Sequence, residues 1–217
     1  MATCLLCEVL AASPEVPFRN LFSVDEADSE ILLETSRFVI IADVAPVVEG
    51  HILAVSKWHA ESAANLGAAA LAELVELVAA AEVVVGGAYG PCCVFEHGSG
   101  DGPTDTACIE HAHVHIVPYS GDLRELSSYR ESFAHIPGWE SLDRVPADVG
   151  YLFTRSSEHQ YWLAVRQRVE RQHWRRTLAA AAGSRHPDWR LMSVTSRGRD
   201  LARRRVLAVR ALFDIHG

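Results

Sequence analysis

Little in this sequence points to a membrane or to export. No run approaches the roughly 18 apolar residues that a spanning helix requires. The opening stretch, Met1-Ala-Thr-Cys-Leu-Leu-Cys-Glu-Val-Leu-Ala-Ala12, is apolar but has no basic n-region and carries Glu8 early, so it does not read as a signal peptide. Five cysteines, two of them adjacent (Cys92 and Cys93), give no disulfide framework. There is no internal repeat and no low-complexity segment beyond the alanine run at 179–182. The familiar nucleic-acid recognition motifs are also missing. These absences predict a cytoplasmic protein with neither membrane nor nucleic acid as partner.

The 217 residues are 49% hydrophobic and 22% charged, which is ample for a real core in a globular protein. The net charge of −8 hides an asymmetry. Residues 1–154 hold 6 basic against 23 acidic side chains (−17), whereas residues 155–217 hold 14 arginines against 5 acidic ones (+9). An acidic body with a basic tail predicts that the tail docks on the body or on a partner's body. The acidic body would repel a phosphate backbone.

Several short runs read as strands: Phe18 to Phe22, Ile31 to Glu34, Arg37 to Asp43 and His51 to Ser56. Their hairpin spacing suggests an antiparallel meander. Leu66, Ala70, Leu74, Leu77, Val78, Ala81 and Val85 recur at helical steps, so a long core helix is predicted from about Ser62 to Val85, stopped by Gly86-Gly87. Pro91 to Glu96 is a buried-type strand, and the glycine-rich loop after Gly98 should turn it back in a hairpin. Gly150 to Thr154 reads as an edge strand. Glu158 to Ala182 is predicted as a helix, with Trp162, Val165 and Val169 on one face and Arg168, Arg171 and Arg175 on another. A last helix is predicted from Leu201 to Phe213, striped by Ala202, Val206, Val209 and Phe213.

The most informative stretch is His111-Ala-His113-Val-His115-Ile-Val-Pro118. In an extended strand alternate side chains share a face, so the three imidazoles would point one way while Ala112, Val114 and Ile116 pack the other. Two chemistries fit: a three-histidine metal site, or a histidine that acts as a covalent nucleophile. A neutral imidazole is a competent nucleophile near pH 7 because its ordinary pKa lies near 6.5.

This block resembles the signature of the histidine-triad (HIT) family, His-φ-His-φ-His-φ-φ. Pro46-Val-Val-Glu-Gly50-His51-Ile-Leu-Ala-Val-Ser56-Lys57-Trp58-His59 resembles a second family segment, with Ser56 in place of the usual proline. Phe95-Glu96-His97-Gly98 and the N-terminal Cys4-Leu-Leu-Cys7 are similar to elements of the zinc-containing bacterial members. The resemblance covers residues 4–118 and fades beyond 120. It implies an α+β fold: a HIT-like antiparallel sheet with a long core helix over residues 1–120, followed by a C-terminal helical extension over 121–217. It implies an enzyme that cleaves or transfers a nucleoside 5′-monophosphate group, with His113 attacking the α-phosphorus. One hard displacement then becomes two easier ones. The other ring nitrogen of His113 would bond the main-chain carbonyl of His111, while His115 and His51 would hold phosphate oxygens and help the leaving group depart. Asp43 stands where a ribose-contacting aspartate is common. Glu96 stands where one branch has an asparagine near the ribose, and Cys108 where it has a serine.

The resemblance also implies a structural zinc held by Cys4, Cys7, His59 and His111, no organic cofactor, and a homodimer. The replacements at Cys108 and Glu96 keep a second function open, that of a nucleotide-binding or sensing module without turnover. A third alternative is catalysis by a metal on the three histidines. Cys92, Cys93 and Cys108 read as buried small hydrophobes. For the C-terminal segment, the sequence offers two roles: a basic face packed on the acidic body, or an arginine or tryptophan that closes over the substrate.

Overall fold

The computed structural model describes residues 4–11, 31–99, 109–166, 169–184 and 195–216. The strand expected at Phe18 to Phe22 and the residue Cys108 lie outside them. A short helix, α1 (Leu5–Leu10), is followed by β1 (Ile31–Glu34), β2 (Phe38–Ala42) and β3 (Ile52–Ser56). Next come a single 3-10 turn at Ala63–Asn65, the long helix α2 (Ala68–Tyr89), β4 (Cys92–Gly98) and β5 (His113–Pro118). The later part of the chain adds β6 (Ala134–Ile136), β7 (Tyr151–Arg155), β8 (Tyr161–Val165) and the helices α3 (His173–Ala181) and α4 (Ser196–His216).

The eight strands among the described residues join one sheet in the order β1-β2-β3-β5-β4-β7-β8-β6, and every pairing is antiparallel. β2 shows why the sheet is buried on both sides. Its Phe-Val-Ile-Ile-Ala run alternates Phe38 and Ile40 towards α2 with Val39 and Ile41 towards α1 and the start of α4. The apolar stripe of α2 (Leu71, Leu74, Leu77, Val78, Ala81, Val85) packs on one face. The other face carries α1, α3 and the Ala202 end of α4, and it is this face that holds the site. Val209 and Phe213 of α4 pack with the α2 side, so that helix spans both apolar clusters.

Three sequence expectations need correction. The glycine pair does not stop α2, which runs through Gly86 and Gly87 to Tyr89 and ends at Gly90, in the left-handed region at φ +96°. Two interior glycines cost about 1 kcal/mol each against alanine. The contacts of Val85 and Tyr89 with the core offset that cost. Gly150 to Thr154 does not lie at an edge, because β7 is paired on both sides, with β4 and with β8. The predicted helix Glu158 to Ala182 is a strand followed by a shorter helix. Tyr-Trp-Leu-Ala-Val forms β8 after a tight turn in which His159 takes φ +60°. A second left-handed residue, Gln172 at φ +58°, precedes α3.

Candidate functional site

Two of the three alternating histidines sit side by side on β5. His115 pairs in register with Leu53 of β3 on one side and Phe95 of β4 on the other, and its ring stacks on Phe95 at 4.6 Å between centroids. His113 opens the strand, and its Nδ1 lies 2.6 Å from the carbonyl oxygen of His111. That bond fixes the proton on Nδ1 and leaves Nε2 with its lone pair.

A turn from Asp43 to His51 joins β2 to β3 and is closed by the Asp43 N–H donating to the His51 carbonyl at 3.1 Å. It delivers His51, 0% exposed, beside His115. The Val47 N–H donates to His51 Nδ1 at 3.2 Å, so His51 carries its proton on Nε2 and donates it to His115 Nδ1 at 2.8 Å. His115 in turn keeps its proton on Nε2. One backbone amide therefore sets both tautomers. Asp43 Oδ2 stands 3.4 Å from His51 Nε2 and 3.7 Å from His115 Nδ1.

Burial governs the charges. It pushes the His51 pKa down to about 4, against the pull of Asp43, and pushes His115 well below the usual imidazole value, with His51 adding to the effect. Burial lowers His113 as well, despite the His111 carbonyl. Burial also opposes the ionised form of Asp43, but the Arg175 guanidinium overcomes it and holds the carboxyl below its ordinary range. Arg175 Nη1 donates to Asp43 Oδ2 at 2.5 Å and its Nη2 donates to the Ala45 carbonyl at 2.5 Å. The Ala45 N–H occupies Asp43 Oδ1 at 2.8 Å. Arg205 of α4 secures the same turn through the carbonyls of Pro46 and Val47.

The site opens onto a pocket that is partly open to solvent. His113, His115 and Asp43 line it together with Leu6, Ile41, Leu53, Phe95 and Ile109. Gln172, His173, Trp174 and Arg175 complete it from the C-terminal segment. The sequence expected His51, His113, His115 and Asp43 to converge, and the structure brings them together. It does not bring Glu96 to them. Glu96 is 1% exposed on the other face of β4, where it accepts from the Ala63 N–H at 2.9 Å and from the Tyr151 hydroxyl. Burial pushes its pKa up to about 7.

His111 takes a different path. It precedes β5, and its Nε2 donates to the Ser56 carbonyl at 2.8 Å, which frees Nδ1 as an acceptor. Nδ1 lies 3.4 Å from Cys4 Sγ and 3.5 Å from Cys7 Sγ, while His59 Nδ1 lies 3.6 Å from Cys7 Sγ. The four ligand atoms all fall within 4.8 Å of one another, a set that could hold a metal ion. The three alternating histidines therefore do not share one ion, which removes the three-histidine catalytic metal. Asp43, His51 and His115 also cluster, but the His51 nitrogen within that cluster carries a proton and is no ligand.

Sequence reasoning missed Arg175, Arg205, His97 and His173. His97 lies two residues after Phe95 on a strand, so alternation alone would have put it on the pocket face. No sequence signal locates the two arginines, which meet the Asp43 turn only through the packing of α3 and α4.

An α+β sheet with a buried imidazole pair at the floor of a pocket is the class that this architecture defines. Residues 24–122, just under half of the chain, match the family model described as HIT domain. Among solved structures, the chain is similar to a hypothetical protein from Leishmania major, at 24% identity over 54% of this chain and 74% of that one (TM-score 0.40). It is similar to a hypothetical histidine triad nucleotide-binding protein from Sulfolobus tokodaii, at 25% identity over 53% and 68% (TM-score 0.39). A histidine triad nucleotide-binding protein from Candida albicans aligns at 19% identity over 54% and 74% (TM-score 0.38). A comparison with curated proteins finds no match.

Proposed function

We propose that this protein is a nucleotide-processing enzyme that cleaves or transfers a nucleoside 5′-monophosphate group through a covalent nucleotidyl intermediate on His113. The observation that carries this reading is the His113 ring, with its Nδ1 proton tied to the His111 carbonyl and its Nε2 lone pair left on the lining of a partly open pocket. Nε2 forms a bond to the α-phosphorus as the leaving group departs with the electron pair of the broken bond. Water or another acceptor then attacks phosphorus and the pair returns to Nε2. The Nε2–H of His115, set by His51, would bond a phosphoryl oxygen as charge develops there. Leu6, Ile41, Leu53 and Ile109 offer an apolar slot suited to a base.

Cys4, Cys7, His59 and His111 would hold a structural zinc ion. Tetrahedral zinc with bonds of about 2.3 Å to sulfur and 2.0–2.1 Å to nitrogen places S and N ligands about 3.5 Å apart. The observed 3.4–3.6 Å separations fit that spacing. The Ser56 carbonyl supplies the outer partner that such a histidine usually has. The ion's chemistry here is to join α1 to the start of β5. The domain division at about residue 120, a cytoplasmic location and a homodimer complete the proposal. Among the described residues no helix is long and apolar enough to cross a membrane. Sedimentation at twice 23.8 kDa would support the homodimer.

A panel of dinucleoside polyphosphates, nucleotide sugars and nucleoside phosphoramidates, scored for released nucleoside monophosphate, tests the function. The wild-type protein should release it from at least one class and His113→Ala from none. Binding without release across the panel would instead identify a nucleotide-binding module.

A further inference from the structure

The peptide group between His111 and Ala112 serves the nucleophile from both of its ends. Its carbonyl oxygen lies 2.6 Å from His113 Nδ1, and its N–H, which belongs to Ala112, donates to the Ala60 carbonyl at 2.6 Å. A planar trans peptide points its C=O and its N–H in opposite directions, so whatever fixes the N–H also aims the carbonyl. Donation through the N–H polarises the carbonyl as well and strengthens the bond that it accepts. The His113 ring is therefore oriented from behind, by the position of Ala60.

Ala60 belongs to the connection between β3 and α2, whose regular part is the 3-10 turn at Ala63–Asn65. Two side chains of the sheet hold that turn. Glu96 of β4, 1% exposed, accepts the Ala63 N–H at 2.9 Å. The Tyr151 hydroxyl of β7 accepts the Ala64 N–H at 3.2 Å and donates to the other carboxyl oxygen of Glu96. The first N–H groups of a helical turn have no partner within it, and Ser62 makes no capping bond to them. The glutamate and the tyrosine fill that role from another element. An apolar side chain would suit so buried a position better on solvation grounds alone. What the carboxyl and the hydroxyl add is direction.

Resting on the nucleotidyl-transfer reading above, we propose that Glu96 and Tyr151 are positioning residues for the reaction on His113, acting through the Ala60–Asn65 connection and the His111–Ala112 peptide. Neither side chain lines the pocket, so neither touches the substrate. Tyr151 lies outside residues 24–122, and the C-terminal segment thus shapes the nucleophile from beneath the sheet as well as through Arg175. Because the two residues act on orientation, their loss slows the chemical step and leaves substrate binding nearly intact.

The test measures kcat and KM on the panel substrate that wild type turns over fastest, with full chains at a temperature where each is folded by circular dichroism. The variants are Glu96→Ala, Glu96→Gln and Tyr151→Phe, with Phe153→Leu as the stability control, since Phe153 is buried in the α2-side core and pairs with Glu96 across the strands. Glu96→Ala is expected to lower kcat at least about tenfold with KM within about twofold. Glu96→Gln, which keeps an acceptor for the Ala63 N–H, and Phe153→Leu should stay within about twofold of wild type. An unchanged kcat in Glu96→Ala, an equal loss in Phe153→Leu, or a loss accompanied by release of bound metal from the Cys4, Cys7, His59 and His111 cluster overturns the positioning role. Should Glu96→Ala fail to fold, Tyr151→Phe decides by the same criteria. A second readout needs no turnover. The His113 ring N–H, assigned by NMR through its absence from His113→Ala, should be protected from solvent exchange in wild type and Glu96→Gln and lose that protection in Glu96→Ala. Wild-type turnover of no panel substrate refutes the reaction on His113, and the ring signal then decides the positioning alone: protection that persists in Glu96→Ala refutes it.

Discussion

At the scale of single residues, the site depends on which nitrogen carries which proton. The Val47 amide fixes His51, His51 fixes His115, and the His111 carbonyl fixes His113. Burial holds His113 below its ordinary pKa of 6.5, so its neutral, nucleophilic form persists further into acid than a free imidazole would. The acid limb of kcat/KM should therefore fall below pH 6.5, and a limb at or above it would contradict the burial argument. Glu96 makes a second pH prediction, this one for stability. It ionises near 4.5 when unfolded but near 7 in the fold. The folded chain thus binds the extra proton between those values, and stability is full at the acid end and lost as pH rises through the window. The loss should be about 3 kcal/mol. Glu96→Gln should flatten the urea-denaturation profile between pH 5 and pH 8. A profile equally steep in the variant would refute the assignment.

At the scale of elements, β5 and its neighbours were legible, and so were the strand near Gly150 and the last helix, whereas the stretch from Glu158 to Ala182 was not. Alternation of His with Ala and Val, and the β-branched runs of β2 and β3, follow directly from the strand period, and the structure repeats them. Glu158 to Ala182 misled because Trp162, Val165 and Val169 have helical spacing while Tyr161–Val165 also suits a strand. Only the left-handed residues His159 and Gln172, invisible in a periodicity, separate the two readings. Glu96 was placed near the sugar by motif analogy, yet its strand turns it to the opposite face from Phe95. The α1 cysteines supply the prediction proper to this scale. The purified protein should hold one zinc per chain, and removing it with a chelator, or introducing Cys4→Ser, should lower Tm by several degrees. Unchanged Tm with no bound zinc would sink the structural ion.

At the scale of the whole molecule, the basic C-terminal segment folds onto the acidic body. Arg155 pairs with Glu82 of α2, Arg175 with Asp43, and Arg205 with the carbonyls of the Asp43–His51 turn. The sheet crosses the same divide, since β4 is bonded to β7 as fully as to β5. Gly98 makes part of that seam possible, because a Cβ there would lie 2.1 Å from the Tyr151 ring. Cutting the Arg175 link should leave Asp43 buried and unpaired. Arg175→Met is therefore expected to cost about 3–5 kcal/mol in urea denaturation, and the double variant with Asp43→Asn to recover a large part of it. Additive losses would show that the pair is not coupled.

The most direct measurement is the mass of the protein caught during turnover. Mixed with a substrate that it cleaves, quenched in alkali to spare an acid-labile N–P bond, and mapped by peptide mass spectrometry, the chain should carry one nucleoside monophosphate on His113. His113→Ala should carry none and lose at least about a thousandfold in rate. A modified residue elsewhere, or a His113→Ala protein that still turns over, would contradict the account.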